Sequence, residues 1–128
     1  MNREDYIMKY IEKLGRVIAA MLFFRRKNAP DSSLGLAEEV YDELLSLNLS
    51  DLLEMDEKSF DELIEKQNYH TSYIESLAAM THEAGKAYEL KKDKQNELRA
   101  YQKSLQLYKI LNTKDKTFSF EREKSFPN

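Results

Sequence analysis

Chemistry in this chain would have to come from two histidines, scattered carboxylate pairs and eight tyrosines. His70 and His82 sit twelve residues apart on one predicted helix, about 18 Å by the helical rise, so one chain cannot close both on a metal. Ala79 precedes His82 by three, where a carboxylate-bridged metal bundle needs Glu. The pairs Glu38-Glu39, Asp42-Glu43 and Asp61-Glu62 have the spacing of a solvated helix face rather than an acid–base couple. There is no cysteine, which excludes disulfides, thiolate zinc sites and a cysteine nucleophile. Three scattered glycines build no phosphate loop, and no nucleophile elbow occurs. No catalytic, metal or cofactor-binding residue is assigned, and the chain is read as a non-enzyme. Most tyrosines fall on apolar stripes, where a ring is buried and its hydroxyl stays at the boundary.

The elements that would position these residues are helices. The chain has 128 residues, room for one domain, with 34% charged and 41% apolar residues. Two valines, three glycines and two prolines leave little for a strand-rich fold. The longest apolar run, 17–24, is too short to span a bilayer, and Asn2-Arg3-Glu4-Asp5 does not look like a signal peptide. A cytoplasmic, all-α domain is expected.

The first helix is predicted over about 5–26. Ile7, Ile11, Leu14, Ile18 and Met21 form a core stripe, and Tyr6, Tyr10, Val17 and Phe24 form a second beside it. An apolar arc this wide predicts burial on more than one side, including a homodimer contact. Arg25-Arg26-Lys27 suits the negative end of the helix dipole. The same run, 17–27, could instead lie on an anionic membrane surface, but its polar face lacks the lysines of a surface binder. Pro30 breaks the helix, and Asp31 or Ser32 can cap a second helix ending near 47. Residues 48–68 read as short helices, capped at Ser50 and Asp56 and stopped at Asn68. A fourth helix, about 69–91, carries Tyr73, Leu77, Met80, Ala84 and Ala87 on one stripe, with a possible capping box at Ser72 and Glu75. A fifth, about 94–111, has Leu98, Tyr101, Leu105 and Tyr108 on one face. Lys92-Asp93 makes the tight turn of an antiparallel hairpin. Residues 113–128 read as a polar tail, mobile or docked as an extended strap through Phe118 and Phe120.

Charge is uneven. Residues 31–68 carry twelve acids against two bases, while 1–30 carry seven bases against three acids. An acidic domain with no basic patch disfavours nucleic acid.

Residues 77–107 resemble a tetratricopeptide repeat: Gly85 at the helix crossing, Tyr88 three later, Lys92-Asp93 at the turn, Tyr101 and Ser104-Leu105 in the second helix. Glu97 departs from the alanine usual there. More widely, Asp5-Tyr6-Ile7, Ile11 to Gly15, Ser50 to Leu53 and the closing hairpin resemble small bacterial tetratricopeptide-like proteins of uncharacterised function. The resemblance implies an α–α superhelix of about five helices in residues 1–112 and a protein–protein role. The expected binding surface is a groove between the first and fourth helices, with Tyr6, Tyr10, Val17, Phe24, Tyr73, Tyr88 and Tyr101 as contact residues. The expected partner is another protein or a second copy of the chain. A helical-bundle metal or small-molecule binder is the enzymatic or ligand-binding alternative, and a peripheral membrane protein the other.

Overall fold

A computed structural model describes residues 3–125, with side chains as far as Lys114. It is all-helical among those residues. The order is α1 (Arg3–Arg26), α2 (Pro30–Leu45), α3 (Leu49–Glu54), α4 (Glu57–Gln67), α5 (Thr71–Leu90) and α6 (Lys94–Ser125).

The helix ends follow local chemistry, though several caps differ from expectation. Asn48, not Ser50, caps α3 by accepting from the Asp51 N–H at 2.8 Å. Asp56 caps α4 as expected. His70 Nδ1 caps α5 by accepting from the Ser72 N–H, which displaces the Ser72–Glu75 capping box. Helix α2 has no side-chain cap; it starts on Pro30, whose fixed φ and missing N–H suit a first turn. Asn28, Ser46, Asn68 and Lys92 take positive φ at the helix ends. The backbone of α6 is helical through Ser125, so the helix expected to end near residue 111 continues into the segment read as a polar tail, mobile or docked as a strap. The seating of Phe118 and Phe120 lies outside the described side chains.

Two layers result. In the front layer α5 lies between α1 and α6. The Tyr10 and Tyr73 rings meet at a tilt, their centroids 5.2 Å apart, and Arg25 Nε donates to Glu83 at 3.0 Å, so α1 runs parallel to α5. Ser104 Oγ donates to the Ala78 carbonyl at 2.7 Å, so α6 runs antiparallel. Helix α2 lies behind α1 and α5. Lys13 pairs with Glu43, Ser33 Oγ donates to the Met21 carbonyl, and Tyr41 bonds Thr81. Helices α3 and α4 lie behind α6, tied by Lys103 Nζ to the Met55 carbonyl and Gln106 Nε2 to the Glu57 carbonyl, both at 2.6 Å. The core between layers is Leu14, Met21, Ala37, Tyr41, Leu52, Phe60, Leu77 and their buried neighbours.

Candidate functional site

Helix α6 decides what is left over. Its inner face, Ala100, Ser104 and Leu107, is buried. The next face, with Lys103 and Gln106, holds α3 and α4. Two faces are therefore committed before Leu98, Tyr101, Leu105 and Tyr108 are placed. That stripe is on one side of the helix, as the sequence indicates, but it points outward. Leu98 is 54% exposed, Leu105 56% and Tyr108 38%. Tyr101 is half-buried, because its ring lies over Gly85 and against His82 at 5.1 Å. A Cβ at Gly85 would stand 2.5 Å from Tyr101 Cε1, so the crossing needs glycine. Glu97 keeps its carboxylate near Lys94, at 3.8 Å.

The outer side of α5 continues this surface through Glu75, Ala79, His82 and Lys86. Glu75 and His82 are exposed, and Ala79 and Lys86 are half-buried. On α1 only Leu14 and Met21 are fully buried. Met8 (59% exposed) and Phe23 (55%) face away from the core, with Gly15 and Ala19 exposed between them. Every large apolar side chain that stands exposed among the described residues belongs to α1, α5 or α6. The surface of α2 is instead acidic, with Glu38, Glu39, Asp42 and Glu43 exposed.

The expected contact residues separate. Tyr10 and Tyr73 come together at one end of the α1–α5 pair, with Tyr69 5.9 Å from Tyr73. Tyr6 stands exposed near them, and Val17 and Phe24 are half-buried. Tyr88 is buried in the core. Tyr101 belongs to the α5–α6 crossing. They do not line one groove: Tyr73 meets Tyr10 of α1, Tyr88 is packed into the core, and Tyr101, on α6, covers Gly85. The residues missed as a contact surface, Met8, Phe23 and Leu90 among them, carry no sequence signal that separates them from core.

A shallow depression at one end of this layer is lined by Arg25, Lys86, Glu89, Leu90, Lys92 and Tyr101. Burial raises several of the phenols: Tyr10, Tyr69 and Tyr88 are pushed up from 10.0 to about 12. These phenols are neutral at physiological pH. Among the described residues no group of three or more His, Cys, Asp or Glu is placed to hold a metal ion. No described helix is long and apolar enough to cross a membrane. No protein-family model, curated protein or solved structure matches the chain.

Proposed function

We propose that this chain is a non-enzymatic protein–protein interaction module of the cytoplasm, built around a tetratricopeptide-like hairpin, with the outer face of α1, α5 and α6 as its contact surface. One observation carries the reading. Single exposed leucines are ordinary on any surface, but here exposed apolar bulk and surplus acid are partitioned between opposite layers. A front layer with Leu98, Leu105 and Tyr108 in one stripe, backed by an acidic layer, has one face suited to dry contact. The close Gly85–Tyr101 crossing supports the repeat-like hairpin.

Leu105→Glu tests this without touching the core. The tagged chain and the variant are used to recover bound proteins from the native cell, with circular dichroism confirming equal helicity. The expected result is a protein, or the untagged chain itself, held by the wild type and lost by the variant. Identical recoveries from both would overturn the reading.

A further inference from the structure

We propose that the occupant of the front face is a second copy of this chain, docked face to face with each front-layer helix antiparallel to its own counterpart. The inference rests on the interaction reading above and supplies its partner.

The back layer cannot make such a contact. Residues 31–68 carry twelve acids against two bases, and two copies meeting there would repel. The front layer carries both signs, and it carries them in an order that reverses onto itself.

The outer stripe of α5 is Glu75, Ala79, His82, Lys86, with spacings of four, three and four. Reversed end for end, that spacing is unchanged. An antiparallel copy centred between residues 80 and 81 therefore sets Glu75 against the partner's Lys86, twice by symmetry. Small Ala79 then faces the partner's His82, so the helices can approach closely. The outer stripe of α6 has the same property, with spacings of three, four and three. Reversal about residue 103 sets Leu98 against the partner's Tyr108 and Tyr101 against the partner's Leu105. On α1, reversal about Ala19 sets Glu12 against the partner's Arg26 and Gly15 against the partner's Phe23. Gly15 has no atom of its own chain near where a Cβ would be, so its small size has no use within the monomer.

Three centres found independently must share one two-fold axis, and they do. The Ser104–Ala78 bond and the Tyr101–Gly85 contact put residue 103 of α6 level with residues 79 to 83 of α5. The Tyr10–Tyr73 and Arg25–Glu83 contacts put residues 80 and 81 of α5 level with residues 18 to 22 of α1. An axis parallel to the layer, in the contact plane in front of it and crossing the helices at that level, serves all three. The size also fits. Three helices about 10 Å apart and about 30 Å long present roughly 900 Å², against about 800 Å² per partner in a standard stable interface.

Sedimentation equilibrium across micromolar to several hundred micromolar protein is the test. The wild type is expected to pass from one-chain to two-chain mass, and Leu105→Glu to remain one chain at unchanged helicity. Glu75→Lys and Lys86→Glu each turn two attractions into two repulsions, and each is expected to weaken the dimer roughly tenfold. An equimolar mixture of those two variants restores both attractions and is expected to recover near wild-type affinity. That rescue cannot come from damage to the monomer fold. A wild type monomeric throughout, a dimer indifferent to Leu105→Glu, or a mixture no tighter than either variant alone would overturn the proposal. Should the wild type be monomeric while Leu105→Glu still abolishes capture of a different protein, self-pairing fails and the interaction reading stands.

Discussion

Tyr41 and Tyr10 carry the same hydroxyl into different surroundings. Tyr41 is fully buried and bonds Thr81 Oγ1, whose own hydroxyl is within 2.6 Å of the Leu77 carbonyl. Tyr10 Oη is buried with no hydrogen-bond partner. Tyr41→Phe should therefore cost about 1–2 kcal/mol, and Tyr10→Phe should be neutral or stabilise slightly, both read by chemical denaturation. The phenols also fix an alkaline limit. An unfolded tyrosine ionises near 10.0, whereas Tyr10, Tyr69 and Tyr88 hold their protons to about 12. Desolvation is the leading cause in each, and it raises Tyr41 further. Above pH 10 the unfolded chain binds fewer protons than the folded one, so stability intact below pH 10 should fall as pH rises toward 12. Tyrosine absorbance and ellipticity are expected to change together in that window. Lys92 gives a third residue-scale outcome. It holds φ at 60° where the Asp93 N–H bonds back to the Tyr88 carbonyl, a helix-ending geometry that favours glycine. Lys92→Gly should stabilise by up to about 1 kcal/mol, measured by thermal melting.

At the scale of elements, α3 and α4 depend on α6 for their place. Lys103 is 6% exposed, with its ammonium on the Met55 carbonyl and 5.5 Å above the Phe60 ring. Burial lowers its pKa, against the opposing pull of Asp56 and Glu57. Gln106 reaches both the Glu57 carbonyl and Asp61. Changing Lys103→Met and Gln106→Ala together should loosen residues 49–67 before the rest. Faster amide exchange confined to that segment, with a total loss of about 2–4 kcal/mol, is the expected result. Helical character was legible along residues 5–111, because apolar spacing and capping residues are local, although about five helices were expected and six are present among the described residues. The exposed face of α6 was not. Leu98, Tyr101, Leu105 and Tyr108 have a core-like spacing, and only the presence of α3 and α4 on the adjoining face turns them outward. The helical continuation to Ser125 was also hidden, since Thr117 to Phe120 alternates as an extended segment would.

For the whole molecule the two-layer division sets the electrostatics. Acids on α2 to α4 repel one another across the back layer, relieved locally by Lys13–Glu43 and Lys91–Asp31. Salt screens such repulsion within a Debye length of about 10 Å at 0.1 M. Raising sodium chloride from low to physiological concentration should therefore raise the melting temperature. Neutralising Glu38, Glu39 and Asp42 as amides should remove most of that dependence, and calorimetry would show an undiminished slope if the back layer were not its source. The sequence alone determined that the chain is helical, where its helices lie as far as about residue 111 and that its charge is segregated. Those follow from propensity, 3.6-residue periodicity and composition, which act between near neighbours. Only the tertiary structure decided which apolar stripes became core and which became surface. A stripe is buried when a neighbour covers it, and the neighbours that take the second face of α6, beside the one against α5, come from residues 49–67, far away in sequence. The tyrosines expected to share one groove were parted in the same way: Tyr10 and Tyr73 meet between α1 and α5, Tyr88 is buried in the core and Tyr101 covers Gly85. The surface that remained uncovered, spanning α1, α5 and α6, exists in no single segment of the chain.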